Sequence, residues 1–437
     1  MTQPEQPVWL PFVWTAIGLA IGGGFGLGAI LFALGAWHVP SGVAWLAAAQ
    51  AHGQVQLFGW AGLMVLGVGL HFLPRLRGTP LAYPRLTRLV LGLIAGGLTL
   101  RLVAQPALAL AGPGEPKALS SGLVVLSGVL ASAGATVALG LLAATLRTGP
   151  PFRQRAGLIA VLPFLLGAFV SLWLALAANA VGVVWLALAG EALVPAWLDR
   201  PIVLLALYGF LVPISIGMSA RTFPLYFRTP LPRMHVLYAG HGLLVGGLIA
   251  RLVGEAILSR RLSALGELSL AAAAALFVVG LGIFERRRPL PRQKVQLLTD
   301  PMQLHAISAY GWLVVAAMLL GLEGLVGIGL GTPAPPAGAE WHALGAGFVT
   351  TLILGVGAHM LPGFARRPLR SERLVWATLV TGNLAALLRL GPLFLPSTVA
   401  EPANALLALS GLVGVAAVTC FAYNLTGTDT DRQPSAT

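Results

Sequence analysis

The amino-acid sequence predicts an all-α polytopic membrane protein of about twelve transmembrane helices, arranged in three groups of four. Hydrophobic residues make up 57% of the 437 residues and charged residues only 9%, whereas soluble domains have about 25% charged residues. The chain also contains twelve apolar segments, each long enough to cross about 30 Å of hydrocarbon at about 1.5 Å per residue. A repeated residue pattern predicts the grouping into three.

The twelve apolar segments are separated by short polar or charged stretches. They lie near residues 9–37, 44–74, 86–110, 119–146, 157–184, 202–224, 236–258, 266–284, 303–331, 342–363, 374–393 and 403–425. The first is too long for the core of a signal peptide and lacks an obvious cleavage site. We therefore expect it to be retained as a transmembrane helix.

The net charge of +13 is distributed unevenly across the predicted membrane. Twenty of the 27 lysines and arginines fall in loops on the side of the N-terminus. The positive-inside rule then predicts a multi-pass protein of a bacterial inner (cytoplasmic) membrane with both termini in the cytoplasm. The lipid bilayer is the expected partner. Nucleic acid is not, because the basic stretches lack interleaved aromatic residues.

The second, sixth and tenth segments share one spaced pattern, with steps of 8, 4 and 3 residues. Its members are Gly59, Gly67, His71 and Pro74, then Gly209, Gly217, Arg221 and Pro224, then Gly347, Gly355, His359 and Pro362. An Arg-Leu pair follows each His/Arg position by 30 residues, at Arg101, Arg251 and Arg389. The joint agreement predicts an internal triplication.

The triplication divides a single membrane domain, residues 1–437, into repeats 1–150, 151–296 and 297–437. Four helices per repeat keep every copy in the same orientation, so the symmetry axis runs along the membrane normal. We expect the three pattern-bearing helices to line the interior and the repeated glycines, prolines and arginines to form a scaffold. No span is expected to be interrupted at mid-membrane.

Two histidines break the repeat and are the first candidate site. His52 and His342 lie near the outer ends of the second and tenth helices, 19 residues before His71 and 17 before His359 respectively. This offset of two residues rotates a helical side chain by about 200°. The two imidazoles would then face each other, as a cofactor shared between neighbouring helices requires.

Other residues fit a flat ring at this place. Gly53 and Gly345 would allow its close approach, and Arg101 and Arg389, at the same ends of their helices, could pair with its carboxylates. The alternatives are interfacial histidines bonded to loops and snorkelling arginines. Cys420 is the only cysteine, which excludes an intrachain disulfide, a thiolate metal cluster and, since there is no CxxCH, covalent c-type heme.

A second group of candidates lies towards the cytoplasm. His71, Arg221 and His359 would form a ring there, with His241 and His305 nearby. Imidazoles suit copper, iron or zinc, so the four histidines join His52 and His342 as candidate metal ligands. An anion site at Arg221, or polar side chains capping helix ends, are the alternatives. Only Glu323 is expected deep in a span, which argues against a carboxylate-rich di-iron site.

Residues 51–60 (AHGQVQLFGW), continuing to HFLPR at residues 71–75, resemble the NnrS family, as do residues 342–362. NnrS-type proteins are heme- and copper-associated membrane proteins linked to bacterial nitric oxide resistance. They are similar to the catalytic subunit of heme–copper oxidases and nitric oxide reductases, which has twelve helices in three pseudo-symmetric groups. The resemblance implies heme b, copper as a further candidate, and nitric oxide or another small diatomic as ligand.

In the oxidases, histidines of helices two and ten hold the low-spin heme, which His52 and His342 match. The oxidases also carry a second histidine on helix ten, two residues from the first, where this chain offers only Glu340 and Leu344. Several NnrS-like sequences have a second histidine where this chain has Gln54. The resemblance therefore implies one low-spin heme at the outer site and gives only weak support for a second metal there.

The copper histidines of the oxidases lie on helices six and seven. Here helix six has none, and His235 and His241 lie at the opposite end of helix seven. An oxygen reductase is not expected; if the protein is an enzyme, it is a heme-dependent oxidoreductase acting on nitric oxide. The alternatives are a transporter or channel for a small solute or metal, and a non-catalytic assembly or sensor subunit of a respiratory complex.

Overall fold

The computed structural model describes residues 7–39, 42–112, 114–287, 300–331 and 333–428. Within these ranges the chain is helical and contains no strand, and twelve helices are long and apolar enough to cross a membrane. The predicted helix count and the membrane class are therefore confirmed. Four of the predicted cytoplasmic basic residues, Arg288, Arg292, Lys294 and Arg432, lie outside the described residues.

The twelve helices are numbered α1 to α12 in chain order and follow the apolar segments closely. They are α1 Trp9–Ala36, α2 Gly42–Arg77, α3 Leu86–Leu110, α4 Glu115–Arg147, α5 Leu162–Ala189, α6 Ala196–Tyr226, α7 Met234–Ala256, α8 Arg260–Leu281, α9 Pro301–Gly327, α10 Ala339–Ala365, α11 Glu372–Phe394 and α12 Ala400–Leu425. Three of them, α2, α4 and α6, have more than 30 residues and extend beyond the roughly 20 residues that span hydrocarbon.

Helices α2, α6 and α10 form the centre of the bundle. In their most apolar stretches 67%, 78% and 67% of the residues are buried, against 33–44% in the other nine helices. They contact one another at mid-length, while α12 packs on α1, α4 on α5 and α8 on α9 around them. The prediction that these three helices line the interior is confirmed.

The nine helices around α2, α6 and α10 expose large apolar side chains, among them Val103, Leu188 and Met318. A soluble monomer rarely exposes apolar surface on this scale. Contact with the hydrocarbon of a lipid bilayer explains it.

The repeated glycines allow each central helix to approach the helix before it. A Cβ atom at Gly67 would lie 2.5 Å from Cβ of Phe12, and one at Gly59 would lie 3.1 Å from Leu19 of α1. Between α5 and α6 the corresponding contacts are Gly217 with Phe164 and Gly209 with Ser171. Between α9 and α10 they are Gly355 with His305 and Gly347 with Trp312. In each pair the two contacted residues are seven positions apart, so the same packing recurs three times. These glycines serve helix packing, as expected.

Four helices contain a π-helical segment, which the sequence analysis did not predict. The segments are Ala20–Gly26 in α1, Val55–Gly62 in α2, Leu205–Leu211 in α6 and Ala343–Val349 in α10. The last three begin four residues before Gly59, Gly209 and Gly347. Composition and hydropathy do not reveal such a segment, because one extra residue in a turn leaves both unchanged.

Gly97 offers a test of the close helix packing. A Cβ atom there would lie 2.6 Å from the carbonyl oxygen of Ser127 and 2.9 Å from the amide nitrogen of Ala131, both on α4. We expect Gly97→Ala to lower the apparent melting temperature of the detergent-solubilised protein, because overpacking typically costs about 1–3 kcal/mol.

Gly96→Ala is the matched control, since no atom lies within 4 Å of its Cβ position and it gains the same helix propensity. The pair Gly247 and Gly246 in α7 repeats the contrast, with 2.9 Å from Gly247 to the carbonyl oxygen of Gly266 and open space at Gly246. Equal melting temperatures within each pair would contradict the packing role.

Candidate functional site

A cavity of about 1540 Å³ lies at the end of the bundle that holds the N-termini of α2 and α10, here called the outer end. It is lined by residues of both these helices and of α1, α6, α7, α8, α9, α11 and α12. Small-molecule pockets typically measure about 300–1,000 Å³. The volume therefore suffices for a ligand the size of a cofactor.

His52 reaches this cavity from α2. Its Nδ1 lies 2.9 Å from the carbonyl oxygen of Gly24 and 3.3 Å from that of Gly23, both in the π-helical segment of α1. A carbonyl oxygen only accepts hydrogen bonds, so Nδ1 carries the hydrogen and Nε2 keeps its lone pair. The π-helical segment of α1 thus fixes the tautomer of His52 and the orientation of its ring.

His342 reaches the same cavity from α10. Its Nδ1–H donates to the carbonyl oxygen of Gly338 at 2.8 Å, and its Nε2 accepts a hydrogen bond from Arg389 at 2.8 Å. The guanidinium of Arg389 also lies 4.3 Å from the ring centre of Phe32. His52 is close enough to both His342 and Arg389 for electrostatic interaction. The structure therefore brings three of the four predicted cofactor-binding residues together.

The two glycines beside the histidines also face the cavity. Gly53 and Gly345 both line it, and a Cβ atom at either position would meet no other atom within 4 Å. Helix packing does not require a glycine at these positions, in contrast to Gly59 and Gly347. Open space beside both histidines is what a flat ring needs.

Arg101, the fourth predicted residue, takes part in a different network. It is 2% exposed, lies nine residues before the end of α3, and donates from Nε to Oε1 of Gln105 at 2.6 Å. Gln105 in turn donates to Gln50 at 2.8 Å, and Asp199 of α6 is near enough for electrostatic interaction. Arg101 was expected at the end of its helix, beside the histidines. The structure instead buries it on the side of α3 that faces the start of α6.

A buried ionic cluster also lines the cavity. Arg251 of α7 lies 3.4 Å from Glu340 of α10, 3.6 Å from Glu267 of α8 and 4.0 Å from Glu323 of α9. These side chains are only 2–16% exposed. The sequence indicated only Glu323 as a deep carboxylate, because Glu267 and Glu340 fall near the ends of their apolar segments. One guanidinium thus connects four helices.

The repeat positions relate this cluster to the histidines. Glu340 precedes Gly347 by seven residues, as His52 precedes Gly59. Arg251 lies beside Glu340, and Arg389, at the equivalent repeat position, lies beside His52. This correspondence was present in the sequence and could have identified Glu340 as a cavity residue.

Two histidines of the predicted cytoplasmic ring pack against aromatic rings. His71 lies 4.2 Å from the ring centre of Phe364, and His359 lies 4.5 Å from that of Tyr226. Nδ1 of His359 is also 3.4 Å from the sulfur of Met302. These contacts hold the C-terminal ends of the central helices together.

The remaining two candidate histidines are also engaged locally. His241 packs on Phe164 at 4.6 Å between ring centres. His305 is fully buried, donates from Nδ1 to the carbonyl oxygen of Pro301 at 2.7 Å and lies 3.4 Å from the hydroxyl of Thr378. No three His, Cys, Asp or Glu side chains among the described residues are grouped to hold a metal ion. Metal binding by these four histidines stays a prediction that the geometry does not favour.

The fold and the cavity define a polytopic helical membrane protein with a paired-histidine site at one end of the bundle. No known family model matches the chain, and no curated protein sequence matches it.

Arg251 offers a test of the ionic cluster. We expect Arg251→Met to lower the melting temperature strongly, because removing one partner of a buried ion pair typically costs about 3–5 kcal/mol. Adding Glu340→Gln should recover part of the loss by removing a carboxylate left without a cation. Arg261→Met, at an exposed position of α8, is the control. If the two arginine variants were equally stable, the cluster would have no structural role.

Proposed function

We propose that the protein is a heme-binding inner-membrane protein of the NnrS type that acts in nitric oxide metabolism or protection. A low-spin heme b would be held between α2 and α10 by His52 and His342. The observation that carries the proposal is the arrangement of these two imidazoles, which line one cavity from two central helices. The resemblance of their surrounding segments to NnrS proteins supplies the biological context.

The donor atoms fit a heme. Histidine ligands of a metal usually donate their second ring N–H to a backbone carbonyl or carboxylate, which sets the tautomer and orients the ring. His52 does so with Gly24 and His342 with Gly338. Both rings therefore carry the proton on Nδ1 and a lone pair on Nε2, as axial ligation through Nε2 requires.

Arg389 fits the role of a partner for heme carboxylates, but its present bond competes with ligation. It donates to Nε2 of His342 at 2.8 Å, so coordination through this nitrogen requires that bond to break. The freed guanidinium would remain at the cavity wall, over Phe32. Arg101 bonds Gln105 and does not line the cavity, whereas Arg389 does, so Arg389 is the better candidate.

We further propose that the twelve helices are arranged in three groups of four, as in the catalytic subunit of heme–copper oxidases. Its support is the central position of α2, α6 and α10, the contacts of α12 with α1, α4 with α5 and α8 with α9 between successive groups, and the recurring glycine contacts.

A bound heme would supply a one-electron redox centre near the outer surface. Around it, the chain supplies a site that binds and orients: two imidazoles fixed by backbone carbonyls, open space at Gly53 and Gly345, and one guanidinium. Copper stays a prediction from the resemblance, because the described residues offer no third ligand beside the two histidines.

Heme content tests the proposal directly. After expression with ample heme supply, the purified protein should give a b-type pyridine hemochrome spectrum and a low-spin absorption spectrum. His52→Ala and His342→Ala should each abolish the low-spin form, because each removes one axial ligand.

His38→Ala is the matched control, since His38 also lies at the outer end but is exposed and bonds Glu401 at 2.7 Å. Its spectrum should equal that of the unaltered protein. A wild-type protein purified without heme, or a low-spin spectrum that survives both cavity substitutions, would falsify the proposal.

The proposed orientation has a separate test. A fluorescent-protein fusion at the C-terminus should fluoresce, because that side is proposed to be cytoplasmic, and an alkaline phosphatase fusion there should be inactive. Phosphatase inserted between α9 and α10, after residue 334, should be active. The reverse pattern would place the histidine cavity on the cytoplasmic side.

A further inference from the structure

The ionic cluster of Arg251, Glu267, Glu323 and Glu340 has no role in the proposed heme site. One guanidinium faces three carboxylates within 4.0 Å, all largely buried. If all three were ionised, the cluster would carry a net charge of about −2 in surroundings of low polarity. Like charges this close oppose one another's ionisation, and burial penalises each charge further. The arrangement therefore favours a proton on at least one carboxylate.

The distances single out one carboxylate. Glu340 is nearest to the guanidinium, at 3.4 Å from Nη2, and Glu267 follows at 3.6 Å from Nε. Glu323 is farthest, at 4.0 Å from the same Nη2 that bonds Glu340. The positive charge of the guanidinium therefore stabilises the ionised form of Glu323 least.

A separate observation identifies an acceptor for a hydrogen bond from this proton. Oε2 of Glu340 is buried and accepts no hydrogen bond from any described residue, while the residue itself is 1% exposed and lines the cavity. A buried acceptor without a donor is unfavourable. Glu323 and Glu340 are near enough to interact directly, and a protonated Glu323 would provide the missing donor.

We propose that Glu323 is a proton-binding group of the outer cavity. It carries a proton at neutral pH, donates it in a hydrogen bond to Glu340, and exchanges it with water through the cavity. Arg251 and Glu340 remain paired. The proposal does not depend on the heme, so either can fail without the other.

The surroundings of Glu323 contain charged and titratable groups on each neighbouring helix that the structure describes there. They are Tyr208 on α6, Arg251 on α7, Glu267 on α8 and Glu340 on α10, with Glu255 and Arg260 beside Glu267. The guanidinium already fills the space between the carboxylates, and these side chains form no group able to hold a metal ion. A proton is the cation that fits.

The cavity provides the route for exchange. Glu323 and Glu267 line it together with Leu258 and Ser259 between α7 and α8 and with Ala334 and Pro335 between α9 and α10. These connecting segments lie at the outer end. Uptake or release at Glu323 would change the charge of the cavity wall by one, while the Arg251–Glu340 pair stays intact.

Infrared spectroscopy tests the proposal on the full-length protein. At neutral pH the difference spectrum between wild type and Glu323→Gln should contain the C=O band of a protonated carboxylic acid, and this band should shift in D₂O. Glu267→Gln is the matched control and should leave that band in place. Absence of the band from the wild type, or its persistence in Glu323→Gln, would overturn the proposal.

Stability separates the roles of the two glutamates. Glu323→Gln should melt close to the wild type, because an amide also donates a hydrogen bond to Glu340 and no charge is lost. Glu340→Gln should melt lower, because it removes the nearest carboxylate of Arg251. Equal losses in both variants would show that Glu323 is ionised and would contradict the proposal.

A labelling experiment on the unaltered chain keeps the proposal testable even if the variants do not fold. Dicyclohexylcarbodiimide reacts with protonated carboxyl groups in apolar surroundings: the carboxyl oxygen adds to the carbodiimide carbon and the proton moves to nitrogen. Peptide mass spectrometry should find the adduct on Glu323, with a yield that falls as pH rises. An adduct on Glu267 or Glu340 with none on Glu323 would be the contrary result.

Discussion

The structure depends on the close approach of each central helix to the helix before it. Hydrocarbon gives two helices no hydrophobic reason to associate, so van der Waals contact between backbones must hold them. Gly59 and Gly67, and their equivalents in α6 and α10, permit that contact at two points about two turns apart. The three central helices are thereby fixed relative to their neighbours, and the cavity lies at their outer ends. Every feature of the candidate site depends on this packing.

A second constraint acts on the charges within the bundle. Ionic side chains are costly in a membrane and are almost always paired or directed to an aqueous cavity. The three arginines at one repeat position obey this rule in three ways: Arg101 bonds Gln105, Arg251 has three carboxylates, and Arg389 bonds His342. One scaffold position has thus been adapted to different partners. The differences between the copies concentrate at the outer end, where the paired histidines and the ionic cluster face one cavity.

The histidines illustrate how far residue patterns predict a site. His52 and His342 were singled out because they interrupt a repeat, and both line the cavity together with Arg389. His71 and His359 were candidates because they follow the repeat, and His241 and His305 because of their residue type and position near them. Each packs locally; His305, for example, fills the position that Phe12 and Phe164 occupy in the other two contacts. A departure from an internal repeat is informative because it excludes the scaffold explanation, whereas residue type does not separate a ligand from a packing residue.

The sequence by itself determined the membrane class, the twelve helices, the three that form the centre and the two histidines at their outer ends. Hydropathy, loop charge and residue spacing are local properties, and they suffice because the bilayer fixes the length and direction of every span. The tertiary structure alone decided which charges meet. Glu267, Glu323 and Glu340 are on three helices and converge on Arg251 through side-chain distances that no spacing encodes. It also decided the Nδ1 bond of His52, since that bond joins a side chain of α2 to the backbone of α1.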